Sequence, residues 1–106
     1  MTAAVRTYSV TVDGFPAMLY SARSPGKARA RCYRDYVSIF DETTFQQFLM
    51  KSTVRRADDP PGIGKRILVC GKPATRVIGR GSAIAFMWDD SDEIMVAHPT
   101  EVQGVP

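Results

Sequence analysis

Residues 65–102 read KRILVCGKPATRVIGRGSAIAFMWDDSDEIMVAHPTEV, and this stretch decides the fold. It contains three runs rich in β-branched, aliphatic and aromatic residues, which are separated by glycines, a proline and an acidic turn at 89–92. Such runs, bounded by turn residues, are typical of short antiparallel strands. The stretch therefore predicts a small antiparallel β-barrel or curved sheet over residues 63–103.

The N-terminal part predicts a β-hairpin followed by a helix. Residues 7–12 alternate apolar and polar side chains, as a half-buried strand does. An Asp-Gly pair at 13–14 indicates a tight turn, and 18–22 can form the returning strand. Ser24 suits a helix N-cap and Pro25 suits the first helical position. The longer helix is expected to begin here and to turn its apolar stripe, Ala28, Cys32, Tyr36 and Ile39, towards the core.

A shorter helix and a third strand are expected next. Thr43 and Gln46 have the spacing of a capping box, and an apolar stripe of Phe45, Phe48 and Leu49 follows. Residues 51–57 are strand-like, and the Pro/Gly-rich segment after them is a loop. The predicted fold is α+β in a single domain, 1–106, with one sub-half of hairpin and helices at 1–58 and one β sub-half at 63–103.

Composition limits the class of protein. The chain has 106 residues, 44% of them apolar, which suffices for one core. Its apolar runs are far shorter than the ~20 residues that cross a bilayer, and its start does not resemble a secretory signal. We therefore expect a cytoplasmic protein with no membrane partner, in which Cys32 and Cys70 are buried free thiols. The expected core comprises Val10, Cys32, Tyr36, Phe48, Val69, Ile84, Phe86 and Val96.

Basic residues are concentrated in one segment. The net charge is only +3, but residues 23–34 contain five cations and no acid: Arg23, Lys27, Arg29, Arg31 and Arg34. Cations in the first turns of a helix oppose the macrodipole, which indicates an anion there, held also by the amides of residues 26–28. The alternative is a solvated helix face. Arg55 and Arg56, with Lys65 and Arg66 across the loop, make a second basic cluster.

Tyr33 and Tyr36 interleave with these cations, a combination that can stack bases of single-stranded nucleic acid. For Tyr36 we favour a place at the edge of the core, so Tyr33 is the candidate aromatic contact.

Residues 65–102 resemble the SH3-like small barrels of KOW-type modules. The resemblance lies in an opening strand, the segment GKPATRVIG at 71–79, an aromatic strand ending at Trp88, and a strand closing on His98. It implies a partner among RNA, DNA, or ribosomal and transcription proteins. The first half, with its hairpin and a helix starting SPGKAR at 24–29, is also similar to small phage or prophage accessory proteins.

Catalytic chemistry is not indicated. His98 is the only histidine, and no nucleophile with a base, cofactor fingerprint or metal-ligand spacing accompanies it. We expect a non-enzymatic binding protein without cofactor or small-molecule substrate. The first hypothesis is nucleic-acid binding through the basic helix face and the barrel rim. The alternative is a mobile-element accessory protein that inhibits or modulates a host complex by docking on an acidic protein surface; it needs exposed apolar residues such as Phe15, Met18, Met87 and Met95.

Overall fold

A computed structural model describes residues 4–40, 42–79 and 82–104. The protein is α+β, with two helices and two antiparallel sheets, and the predicted class is confirmed. Two compact units make up the chain. The helical unit is Arg6–Asp58, and the β unit is Met1–Val5 with Asp59–Pro106. Over the described residues, neither helix has the length and apolar character needed to cross a bilayer.

In the helical unit, two helices follow the second strand in the sequence and precede the third strand, and all three strands belong to one small sheet. Its elements are β1 (Arg6–Val12), β2 (Met18–Ala22), α1 (Pro25–Val37), α2 (Phe45–Lys51) and β3 (Ser52–Arg56). The strand order is β2-β1-β3, with both neighbours antiparallel to β1. Alternation along β1 buries Tyr8, Val10 and Val12 in one core with Ala28 of α1 and Phe48 of α2. The predicted hairpin and its core face are confirmed.

Helix α1 begins where its capping residues predict. The Ser24 side chain accepts a hydrogen bond from the Lys27 amide, and Pro25 is the first helical residue. Ala28 and Cys32 are buried and Tyr36 is half-buried. Ile39 does not belong to the apolar stripe, because α1 ends at Val37 and Ile39 is 74% exposed.

The capping box of α2 lies one residue later than predicted. Thr44 accepts from the Gln47 amide and the Gln47 side chain accepts from the Thr44 amide, so the expected box at Thr43 and Gln46 is wrong. Both pairs have the required spacing in the sequence. Tertiary structure distinguishes the two pairs. The Thr43 carbonyl accepts from the Tyr33 hydroxyl, and the first bond of the helix runs from the Phe48 amide to the Thr44 carbonyl at 3.0 Å.

The β unit forms a curled half-barrel of five antiparallel strands. Its elements are β4 (Arg66–Val69), β5 (Lys72–Arg76), β6 (Ile84–Trp88), β7 (Met95–Ala97) and β8 (Val102–Gly104), with a 3₁₀ turn (Pro99–Glu101) before β8. The strand order is β7-β6-β5-β4-β8. Cys70 and Gly71 join β4 to β5 with φ angles of 51° and 81°, as a type I′ hairpin turn requires. The likeness to KOW-type modules stays a prediction.

Strand β6 is covered on both faces. Phe86 packs with Ile67, Val69 and other residues on one side, while Ala85 and Met87 pack with Val77 on the other. Gly79 explains the close approach beside β6, because a Cβ there would lie 2.5 Å from the Cβ of Ala85.

The predicted core is confirmed for five of its eight members. Val10, Cys32, Phe48, Val69 and Phe86 are buried, whereas Tyr36 and Ile84 are half-buried. The prediction that Val96 is buried is wrong. Val96 is 66% exposed on β7, a three-residue strand at the edge of the sheet. Both thiols are free, but Cys70 is exposed at the turn between β4 and β5, contrary to the expectation that it is buried.

Truncation of Phe86 tests the core of the β unit. We expect Phe86→Ala to lower the free energy of unfolding by roughly 3–5 kcal/mol, because a buried ring leaves a cavity. Val96→Ala is the matched control and should cost less than about 0.5 kcal/mol at its exposed position. Urea melts followed by Trp88 fluorescence measure both variants, since the Phe86 and Trp88 ring centroids are 4.7 Å apart. A loss below about 1 kcal/mol for Phe86→Ala contradicts this packing.

Candidate nucleic-acid interface

The outward face of α1 carries three cations. Lys27, Arg31 and Arg34 are spaced by four and three residues, which places them on one side of the helix. Ala28 and Cys32, on the opposite side, are buried against the sheet. Lys27 and Arg34 are exposed, whereas Arg31 is half-buried and its Nε is buried. From Lys27 to Arg34 the face is about 10 Å long, at a rise of 1.5 Å per residue.

Helix α1 has one acidic residue, Asp35, whose carboxylate contacts β2. The Tyr20 hydroxyl of β2 donates to the Asp35 carboxylate across 2.8 Å. Burial raises the pKa of the Tyr20 phenol far above its ordinary value, and the hydrogen bond to Asp35 raises it further. Tyr20 therefore remains protonated and donates. Burial likewise raises the pKa of the neighbouring Cys32 thiol. The Asp35 carboxylate thus links α1 to β2.

The positive charge belongs to the helical unit. Residues 6–58 contain nine Lys and Arg against five Asp and Glu, a net charge of +4. The remaining residues contain five against six, a net charge of −1. The modest net charge of the whole chain therefore conceals a strongly basic unit, whose field attracts anions.

The other cations predicted for the interface do not join the α1 face. Arg29 turns towards the sheet, where its Nη2 lies 3.5 Å from the Ser52 carbonyl oxygen and its Nε is buried without a hydrogen-bond partner. Arg23 is half-buried in the connection before α1. Of the five cations in residues 23–34, the structure brings Lys27, Arg31 and Arg34 together.

Arg55 and Arg56 point to opposite faces of the sheet. Arg56 pairs in register with Tyr8 on the α1 side, and Arg55 pairs with Ser9 on the other side. Arg56 donates to the carbonyl oxygens of Thr7, at 2.8 Å, and of Ala57. These two arginines therefore do not form one cluster, although both are exposed.

The amides at the start of α1 are largely used within the helix. The Lys27 amide donates to the Ser24 hydroxyl at 3.2 Å, and the Ala28 amide donates to the Ser24 carbonyl at 3.1 Å. The expectation of three free amides for an anion at residues 26–28 is therefore wrong for two of them. The physical reason is that Ser24 already supplies the oxygen acceptors that an anion would have supplied.

Arg66 is paired within the β unit. Its guanidinium makes two hydrogen bonds to the Asp89 carboxylate, at 2.6 and 2.7 Å, and this contact raises the pKa of Arg66. Because Arg66 is paired with an acid, it does not act as part of the second basic cluster that the sequence predicts. The two residues are 23 positions apart, and only the strand register across β4, β5 and β6 makes them neighbours.

Tyr33, the predicted aromatic contact, is engaged in local packing. Its hydroxyl donates to the Thr43 carbonyl at 2.9 Å, and its ring lies 5.1 Å from that of Phe45 and 5.4 Å from that of Phe48 between centroids. Its role as a contact for bases stays a prediction. Two phenylalanines that the sequence did not suggest for this role, Phe15 and Phe40, are more accessible, at 46% and 41% exposure.

His98 has a structural use beside the exposed thiol. Its Nδ1 accepts a hydrogen bond from the Thr100 amide, which caps the 3₁₀ turn. Glu101 accepts from the His98 amide at 3.3 Å and from the Cys70 thiol at 3.6 Å. The hydrogen bond to Glu101 raises the pKa of Cys70. Within the described residues, no group of three or more His, Cys, Asp or Glu side chains is arranged to hold a metal ion.

Comparisons with protein-family models, with curated proteins and with solved structures find no match for this chain.

The two thiols should differ in reactivity. Cys70 is exposed and should react with a disulfide reagent in the folded protein, whereas buried Cys32 should react only in urea. Glu101→Gln should accelerate the reaction of Cys70 at neutral pH, since removing the carboxylate lowers the pKa of the thiol and increases its thiolate fraction. Glutamine can still accept from the His98 amide. Glu93→Gln is the control and should leave the rate unchanged. Equal rates for the two variants contradict the Cys70–Glu101 contact.

Proposed function

We propose that the protein is a non-enzymatic nucleic-acid-binding protein whose phosphate contacts lie on the outward face of α1. The single observation that carries the proposal is the alignment of Lys27, Arg31 and Arg34 on one helix face, in a unit of net charge +4. Helix α1 contains four cations and one acid, Asp35, which accepts from Tyr20. The resemblance of residues 65–102 to KOW-type modules implies partners among RNA, DNA, or ribosomal and transcription proteins, a range that includes nucleic acid.

Three cations on a face of about 10 Å match two or three phosphates. Contacts to phosphates carry no sequence information, so we expect binding that is weakly selective for sequence and strongly dependent on salt. Arg55 is exposed on the other face of the sheet, and it contributes at most through the general field of the unit.

Salt titrations test the proposal. The parent protein should bind oligonucleotides with a slope of log K against log salt of roughly −2 to −3, as three phosphate contacts predict. The triple variant Lys27→Ala, Arg31→Ala, Arg34→Ala should weaken binding for all sequences alike and reduce the slope by about one for each cation removed. Alanine favours the helix, so α1 should persist. Fluorescence anisotropy and circular dichroism measure the two properties.

A matched variant controls for net charge. Lys65→Ala, Lys72→Ala, Arg76→Ala removes three exposed cations from the β unit and should retain most of the binding. If both triple variants lose affinity equally, the α1 face is not the site. If the parent binds oligonucleotides no better than an unrelated protein of equal charge, the proposal fails.

The second candidate function is that of a mobile-element accessory protein that binds an acidic surface of a host complex. It is favoured by exposed apolar side chains at Phe15, Met18 and Met95, which are 46%, 49% and 42% exposed. Met87, a fourth residue expected there, is fully buried in the β unit. Under this candidate the α1 triple variant loses one specific protein partner, while oligonucleotides do not bind.

A further inference from the structure

Aromatic rings in the helical unit form a continuous chain. Phe15, in the loop between β1 and β2, lies 5.6 Å from Phe40 and 5.9 Å from Tyr36 between centroids. Tyr36 contacts Phe40 at 4.8 Å and Phe48 at 5.5 Å. Phe48 anchors this chain in the core, because it is fully buried. The accessible end of the chain is therefore supported from beneath by packed rings.

Phe15 and Phe40 are exposed but held in place. The Phe15 amide donates to the Val12 carbonyl at 2.9 Å, and the Phe40 amide donates to the Tyr36 carbonyl at 2.8 Å. The Phe15 ring meets Tyr36 edge-on, at 88° between planes. Backbone hydrogen bonds hold the segments that carry the two rings, and neighbouring rings restrict their rotation. Such rings lose little entropy when a further flat group packs on them.

The accessible rings lie beside a cation of α2. Tyr36 is on the side of α1 that carries Ala28 and Cys32, away from Lys27 and Arg34, and Phe40 follows the end of the same helix. The Lys51 ammonium lies 4.7 Å from the centroid of the Tyr36 ring and donates to the Tyr36 hydroxyl at 2.9 Å. A cation is thus part of the aromatic surface itself, whereas lysine is depleted from the apolar centres of protein–protein interfaces.

We infer that Phe15 and Phe40 are a stacking platform for unpaired bases, and that the partner is single-stranded nucleic acid. The inference rests on the proposed function, to which it adds the class of nucleic acid. Lys51 supplies a positive charge beside the rings, unpaired bases stack on the two rings, and the cations of α1 hold phosphates elsewhere along the strand. A duplex presents its bases already paired and stacked, so it can use the cations but not the platform.

Anisotropy titrations with an unstructured pyrimidine 12-mer and with the matching duplex, over the same series of salt concentrations, test the inference. We expect the parent protein to bind the single strand more tightly. Phe15→Ala and Phe40→Ala should each weaken single-strand binding by about 5- to 100-fold, and leave duplex binding and the salt slope unchanged. Met50→Ala is the matched control, because Met50 is apolar, 90% exposed and not part of the chain of rings. It should bind as the parent does.

Phe15→Trp keeps an aromatic ring and guards against loss of folding. It should retain single-strand binding, and the 12-mer should quench its fluorescence beyond the signal of Trp88 in the parent. Equal affinity for duplex and single strand, with no loss in either alanine variant, overturns the platform while the phosphate face stands. Absence of all oligonucleotide binding overturns the proposed function and the platform together. Unchanged oligonucleotide binding in the alanine variants, with loss of a protein partner instead, assigns the rings to a protein interface and overturns the inference.

Discussion

The packing of α1 on the sheet is the constraint on which the helical unit depends. Ala28 and Cys32 present small side chains to β1 and its neighbours, which lets the helix approach the strands closely. Tyr8, Val10 and Val12 form the opposing surface. Once this side of the helix is buried, the rotation of α1 is determined, and the side carrying Lys27 and Arg34 must face solvent.

The same packing divides the basic residues by use. Arg29 lies on the side of α1 that faces the sheet and reaches the Ser52 carbonyl, while Arg56 returns to the carbonyl of Thr7. Charged groups that reach backbone acceptors stabilise the edges of the fold instead of adding to a ligand site. In the β unit, Arg66 is likewise held by the Asp89 carboxylate. Counting cations along the sequence therefore overestimates the number of residues in the interface, because the count includes cations that contact acceptors within the fold.

Aromatic residues show a similar division. Phe48 is buried in the core and Tyr33 is tied to the Thr43 carbonyl, but Phe15 and Phe40 remain accessible at one end of the chain of rings. These two residues are 25 positions apart in the sequence, in a hairpin loop and after a helix. Their proximity has no local signature. It follows from the way in which the β1–β2 turn and the end of α1 meet beside Tyr36.

The sequence by itself determined the α+β class, the hairpin with its turn at Gly14, the start of α1 at Ser24 and Pro25, and the alternating core of β1. These features rest on local rules, namely period-two alternation, turn residues and caps. Tertiary structure decided the rest. It selected Thr44 over Thr43 as the cap of α2, because the Thr43 carbonyl accepts from the Tyr33 hydroxyl. It left Val96 exposed on an edge strand, paired Arg66 with Asp89, and separated the cations of α1 into an outward face and inward contacts. Each of these outcomes depends on residues far apart in the chain, whose distances only the packed fold determines.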